Sequence, residues 1–139
     1  MKKIITIAAI LIAAATQASA MDSLSGYAGK NRVLVLFAAD GDPKLAQQIE
    51  LLKGQDNALA DRDMVVLEVV GEKVRPIYGG AKGIHARELR RDAGINSPGF
   101  QAVLVGKDGE VKLRSSQVVS DAQMFDLIDR MPMRKAGQK

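Results

Sequence analysis

The amino-acid sequence contains no cysteine and a single histidine, His85, among its 139 residues. Without a thiolate the protein can carry out no disulfide exchange, because no other side chain replaces that nucleophile. Structural zinc sites are built mainly from cysteine and histidine, and a catalytic triad requires a histidine held between an acid and a nucleophile. The sequence therefore excludes thiol redox catalysis, indicates no metal site or cofactor, and assigns no catalytic residue.

The apolar run at the N-terminus, residues 4–15, is also too short to cross a bilayer, which takes about 20 residues. It follows two lysines and precedes Ala18-Ser19-Ala20, so it has the basic region, apolar core and small-residue cleavage site of a signal peptide. We therefore predict a cleavable signal peptide over residues 1–20. No cysteine follows for lipid attachment, so we predict a periplasmic or secreted protein with no stable membrane anchor after cleavage.

After this cleavage the protein would carry 18 basic and 16 acidic side chains. So small a net charge argues against nucleic acid as a partner, because nucleic-acid binding requires a strongly basic surface. The charge is nevertheless uneven, with a net charge of −2 over residues 21–80 and +4 over residues 81–139. We predict that the partner is a periplasmic or extracellular protein or peptide and that no nucleic acid is bound.

The remaining sequence indicates one domain over residues 21–131, followed by a disordered tail over residues 132–139, which lacks periodicity. Within the domain, hydrophobic patterning predicts strands, helices and one long loop. The strands are Arg32–Ala39, Met64–Val70, Ala102–Val105 and Val111–Arg114; the helices run from Pro43 to Arg62, from Ile84 to Ala93 and from Ser120 to Met131; the loop is Gly71–Gly83.

Short-range signals define the ends of these helices. Asp42 is a favourable N-cap, and Pro43 occupies the first helical position, where its missing N–H has no cost. Gly54 weakens the first helix, Gly94 ends the second, and Ser120 begins a capping-box pattern for the last. The order is βαβ, helix, β-hairpin, helix. It predicts an α/β fold with a mixed central sheet of about four strands and helices on both faces.

The stretches VLVLFAADGDPKLAQQIELL, DRDMVVLEVV and GFQAVLVGKDGEVKLRSS resemble a domain-of-unknown-function family of small exported bacterial proteins. That family is related to domains in animal sushi-repeat-containing proteins and is thioredoxin-like, with a distant similarity to peroxiredoxins. The resemblance covers Leu24–Met131 and implies a thioredoxin-like three-layer sandwich. It implies no particular activity, because the family brings none that is established.

Compared with active thioredoxins, this chain lacks the redox motif. Those proteins place Cys-x-x-Cys between the first central strand and the next helix, where this sequence has Ala39-Asp40-Gly41-Asp42-Pro43-Lys44. They also place a cis-proline just before the third strand of this layout, which is Ala102–Val105 here. Pro98 lies near that position, with Gly99–Gln101 between it and the strand. We expect the backbone around Pro98 to be exposed for pairing with an extended peptide, as thioredoxin-like proteins pair with substrates.

Two loops are candidate binding sites. Asp40, Gly41, Asp42 and Lys44 follow a central strand at the end of the sheet where open α/β folds bind ligands. Two carboxylates there can present an acidic face; the alternative is that Asp42 caps the helix and Asp40 forms the turn.

The second loop, Gly79–Gly83, precedes the basic helix that carries Arg87, Arg90 and Arg91. Backbone N–H groups before a helix can hold an anion, but the loop lacks the Gly-Lys-Ser/Thr ending of a phosphate-binding loop. The alternative is a flexible connector with a solvated basic face. We predict a non-catalytic protein- or peptide-binding module; the alternatives are a non-thiol enzyme, or a small-anion or metal-binding protein that uses either loop.

Overall fold

The computed structural model describes residues 20–81 and 83–131. The predicted tail and all of the predicted signal peptide except Ala20 lie outside the described residues. The chain forms a five-stranded mixed sheet with helices on both faces, an arrangement consistent with a thioredoxin-like α/β sandwich. After a 3₁₀ helix at Asp22–Tyr27 the elements are β1 (Arg32–Ala38), α1 (Pro43–Leu52), α2 (Asp56–Asp61), β2 (Met64–Val70), β3 (Lys73–Tyr78), α3 (Ala86–Ala93), β4 (Gln101–Val105), β5 (Val111–Ser115) and α4 (Asp121–Asp129).

The strands are ordered β3-β2-β1-β4-β5 across the sheet. β1 and β2 are parallel, as the crossover through α1 and α2 requires, and every other neighbouring pair is antiparallel. Phe37 near the end of β1 lies opposite Gln101 at the start of β4. The loop after β1 and the loop before β4 therefore leave the same end of two adjacent strands.

The sheet has one strand more than the sequence pattern predicted, because β3 lies within the segment predicted as a loop. Val70 pairs with Lys73, which leaves a two-residue hairpin turn with Gly71 at φ 60°. β3 is an edge strand, so Pro76 removes no hydrogen bond that an inner strand would need. None of its six positions is fully buried and three are exposed, so it lacks the apolar pattern by which the other strands are recognised.

The single helix predicted up to Arg62 is two helices. Gly54 adopts φ 81°, a left-handed conformation that interrupts the chain between α1 and α2. Both helices nevertheless pack on the same face of the sheet, through Leu52 and Leu59. The predicted weak point at Gly54 is thus the position at which the helix ends and a second one begins.

Alternating residues of the central strands enter two separate layers of core. In β1 all seven residues are buried, and the even-numbered ones face α1, α2 and α4 while the odd-numbered apolar ones face the 3₁₀ helix and α3. The second face is covered by fewer helical residues, and Arg114 of β5 is exposed there, opposite Val103. Within the described residues no helix is long and apolar enough to cross a membrane.

Candidate functional site

The loop after β1 is held by its own hydrogen bonds. Asp42 is the N-cap of α1: its Oδ1 accepts a hydrogen bond from the Lys44 N–H at 2.8 Å. Gly41 turns the chain at φ 79°, and Lys44 Nζ donates to the Ser116 carbonyl oxygen at 3.3 Å. Asp40 is exposed at the tip. The carboxylate of Asp42 thus serves α1, as the capping alternative predicted, and a binding role for this loop stays a prediction.

This cap leads to a stability prediction. We expect Asp42→Ala to lower the free energy of unfolding by about 1 kcal/mol, because the first turn of α1 loses its side-chain acceptor. Asp40→Ala also removes one negative charge, two positions earlier, and should change the free energy of unfolding by about 0.5 kcal/mol or less. Urea unfolding of both variants measures the difference; equal losses would contradict the capping role.

The three candidate arginines of α3 have different surroundings. Arg90 Nη1 donates to the Gly71 carbonyl oxygen at 2.6 Å and so ties α3 to the β2–β3 turn. Arg87 and Arg91 are exposed and lie one helical turn apart on the same face. The nearest acid to Arg91 is Asp92, whose Oδ1 lies 3.6 Å from Arg91 Nε. Arg90 therefore holds α3 to this turn, whereas Arg87 and Arg91 present their charge to solvent, and a binding role for the three arginines stays a prediction.

The C-terminal end of α3 determines the course of the next loop. Gly94 adopts φ 69°, and the N–H groups of Gly94 and Ile95 donate to the carbonyl oxygens of Arg91 and Arg90. This pair of hydrogen bonds is a Schellman motif. The motif favours glycine at position 94, because the residue there must adopt the left-handed conformation. Ile95 packs against the core and Phe100 is buried, so both ends of the loop are anchored.

Between these anchors the loop is open to solvent. Residues 96–99 are exposed, and their backbone groups make no hydrogen bond to other described residues. The part of the chain that the structure describes contains no cis peptide bond, so the bond before Pro98 is trans. Gly99 and Phe100 separate Pro98 from β4, one residue fewer than predicted, because β4 begins at Gln101 and not at Ala102.

A pocket of 490 Å³ lies beside this loop, between the C-terminal end of α3 and the sheet. Its charged and polar walls come from Arg91 and Asp92 of α3, Ser97 of the loop, Gln101 of β4 and Arg114 of β5. The structure therefore brings Arg91 and the loop of Pro98 together, as sequence reasoning did not. It also adds Gln101 and Arg114, which no sequence motif indicated. Strand alternation and pairing place them on the same face of the sheet as Phe37 and Val103, and no other feature of the sequence points to them.

Asp92 is the acidic side chain of this pocket, and it already accepts a hydrogen bond from another element of the fold. Its Oδ2 accepts a hydrogen bond from the Ser23 N–H at 2.8 Å, which joins α3 to the 3₁₀ helix. Burial by itself would raise the pKa of Asp92, but the hydrogen bonds from Ser23 and the charge of Arg91 outweigh it and lower that pKa. Asp92 thus stays ionised and bound to the fold, while the two arginines line the pocket around it.

The glycine-rich loop lies elsewhere, against the 3₁₀ helix. It lines a second pocket, of 710 Å³, whose walls contain none of the three arginines of α3. The Tyr27 hydroxyl donates to the Gly80 carbonyl oxygen across it, and a Cβ on Gly79 would lie 2.9 Å from Val65 Cγ2. Lys82 lies outside the described residues. Among the described residues no group of three or more acidic or histidine side chains could hold a metal ion.

Comparison with known proteins gives a match to a family model and a set of relatives. The family model described as Domain of unknown function (DUF4174) matches residues 23–137. A relative, Coiled-coil domain-containing protein 80 of Danio rerio, is 34% identical over 130 residues. That match covers 81% of this chain but 15% of the relative, so the chain spans a small part of the relative's length.

Proposed function

The chain belongs to the DUF4174 family of domains of unknown function, and we propose that it is a non-catalytic module that binds an extended segment of a protein or peptide. The binding surface is the loop before β4, residues 96–99, together with the pocket at its side. One observation carries the proposal: this backbone is exposed and makes no hydrogen bond to other described residues, although both ends of the loop are anchored in the core.

Exposed backbone of this kind favours pairing with another extended chain. Unpaired N–H and C=O groups next to a strand can take up an additional strand, whose backbone supplies affinity and whose side chains supply specificity. Because Ile95 and Phe100 hold the loop at both ends, little conformational entropy is lost when it binds a partner. Pro98 contributes a carbonyl acceptor and a fixed φ, and it leaves donors at Asn96, Ser97 and Gly99.

The chemistry of the chain favours binding over catalysis. It has no cysteine, and the loop at the thioredoxin active-site position uses Asp42 and Lys44 in bonds that hold the fold. The larger pocket, at the glycine-rich loop, offers mostly backbone and small side chains. These features support a surface that recognises a partner rather than one that activates a nucleophile.

We also propose that this protein is an exported bacterial one, periplasmic or secreted, and that its partner is encountered there. The supporting pattern is the basic, apolar and small-residue sequence of residues 1–20. Met21, the first residue after the proposed cleavage site, is buried and its N–H donates to the Gly109 carbonyl oxygen at 2.9 Å. The distant kinship with peroxiredoxins and with sushi-repeat-containing proteins stays a prediction.

The absence of cysteine makes a direct test of this surface possible. A random peptide library displayed on phage is selected against residues 21–139, and the selected peptides are then mixed with two single-cysteine variants. Ser97→Cys lies in the loop before β4, and Ser25→Cys is an equally exposed matched control beside the glycine-rich loop. Each thiol carries a benzophenone photocrosslinker.

We expect the peptides to crosslink to the label at position 97 and not to the label at position 25. Mass spectrometry of the crosslinked species identifies the protein residue and the peptide residue that are joined. Crosslinking at position 25 alone would move the binding surface to the glycine-rich loop and contradict the proposal. A library that yields no peptide above background on the native protein would contradict the binding function itself.

A further inference from the structure

The pocket beside the loop before β4 combines two guanidinium groups from different elements. Arg91 comes from the last turn of α3, and Arg114 comes from β5, where it lies opposite Val103. Gln101 lies in the same wall, at the start of β4. In the sequence Gln101 lies 10 positions after Arg91 and 13 positions before Arg114. The fold brings the three side chains together, because the pairing of β4 with β5 places Gln101 and Arg114 on one face of the sheet and α3 packs on that face.

These two arginines differ from Arg62, Arg75 and Arg90 by being available to a ligand. The side chain of Arg91 is 69% exposed, and its one contact with an acid is Nε to Asp92 Oδ1 at 3.6 Å. Arg114 is exposed and forms no ion pair with another described residue. By contrast, Arg62 and Arg75 each make two hydrogen bonds to a carboxylate, and Arg90 donates to a carbonyl oxygen.

The other wall of the pocket repels an anion rather than attracts it. It is the C-terminal end of α3, where the backbone carbonyls carry partial negative charge, and it includes the ionised Asp92. An anion that enters the pocket must therefore be held by the guanidinium groups. Arginine binds a carboxylate through two parallel N–H···O bonds, a geometry that a backbone cradle does not offer.

We propose that Arg91 and Arg114 form a specificity site for an acidic side chain, aspartate or glutamate, of the extended segment that binds the loop before β4. This inference rests on the proposed function, since the loop supplies the contacts to the backbone of the segment and the pocket binds one of its side chains. The segment runs along the loop, so a residue in its middle is the one that reaches the pocket. A terminal carboxylate is typically captured by backbone N–H groups, and the N–H groups here that bond to no other described residue, at Asn96, Ser97 and Gly99, belong to the loop that pairs with the backbone of the segment.

The test compares peptide selection on the native protein, on Arg91→Gln/Arg114→Gln and on Arg130→Gln. Arg130 is an exposed arginine after α4 and serves as the control for the loss of one positive charge elsewhere on the surface. One phage library joins each random peptide to the coat protein through its C-terminus, so that no free terminal carboxylate is present. A second library displays the random peptides with a free C-terminus.

On the native protein and on Arg130→Gln we expect one peptide position of the first library to be enriched about tenfold in aspartate and glutamate. On the double variant this enrichment should disappear, while selected peptides still crosslink to the label at position 97. An Arg114→Glu variant should change the preferred residue to lysine or arginine.

Two results would overturn the inference and leave the proposed function intact. One is peptides that crosslink at position 97 without acidic enrichment, or with enrichment that survives in the double variant. The other is enrichment confined to the library with free C-termini, which would assign the pocket to a terminal carboxylate. Failure to select any peptide on the native protein would instead remove the proposed function and the inference with it.

Discussion

Replacing Gln48 by alanine is expected to lower the free energy of unfolding by about 3 kcal/mol, because two buried backbone groups lose the side chain that they bond to among the described residues. Gln48 Nε2 donates to the Val119 carbonyl oxygen at 2.9 Å, and the Val119 N–H donates to Gln48 Oε1 at 2.8 Å. Gln48 is 1% exposed, so water does not reach either bond in the folded protein. The pair joins α1 to the segment that precedes α4, and its loss leaves both polar groups of Val119 unsatisfied.

The neighbouring Gln47 provides the matched control, since it lies on the exposed face of α1. Gln47→Ala should change stability by about 0.5 kcal/mol or less. Gln48→Glu keeps an acceptor for the Val119 N–H but removes the donor and buries a charge, so we expect it to be at least as destabilising as alanine. Urea unfolding measures all three variants; equal midpoints for Gln47→Ala and Gln48→Ala would contradict the prediction.

Replacing Lys107 by methionine is expected to lower the free energy of unfolding by about 2 kcal/mol. Lys107 Nζ lies 2.8 Å from Asp63 Oδ2, and the lysine side chain is 4% exposed. Methionine keeps the apolar part of the side chain but leaves Asp63 without its cation. The expected loss is smaller than that for a fully buried pair, because Asp63 is 33% exposed and regains water.

Lys112 lies in the same β-hairpin and supplies the control. It pairs with Asp108 at 2.7 Å and Glu110 at 3.6 Å, whose side chains are 47% and 46% exposed. Water therefore screens both pairs, and Lys112→Met should cost about 0.5 kcal/mol or less. Combining Lys107→Met with Asp63→Asn removes both charges, and asparagine tolerates the φ of 53° at this position. Thermal and urea unfolding of the double variant should show part of the stability restored; strictly additive losses would show that the two charges are not coupled.

Both pairs show why long-range contacts escape sequence reasoning. Gln48 occupies the apolar face of α1, three positions after Leu45, so its burial is foreseeable from helical spacing. Its partner is 71 positions away and could not be foreseen. In the same way nothing in the local sequence of Lys107 indicates that it is buried against Asp63, 44 positions earlier.

In the candidate site, too, the local features could be predicted from the sequence and the contacts between distant residues could not. The N-cap at Asp42, the helix end at Gly94 and the exposure of the loop around Pro98 follow from residues within a few positions of each other. Arg91 was a candidate through its basic helix, but its proximity to Arg114 depends on which face of β5 meets α3. The acidic loop after β1 was a candidate through its position in the topology, and the structure shows that its second carboxylate and its lysine hold the fold together.

The sequence by itself determined the exclusion of thiol chemistry, the buried central strands, the helix ends and a mixed α/β class, because composition, periodicity and capping depend on residue types over short distances. Only the tertiary structure decided the fifth strand, the break between α1 and α2, and the pocket that Arg91 and Arg114 share. An edge strand such as β3 carries no continuous apolar pattern, since none of its side chains is fully buried, half are exposed and its backbone pairs on one side alone. The pocket arises from strand register and helix packing, which place residues from distant parts of the chain on one face.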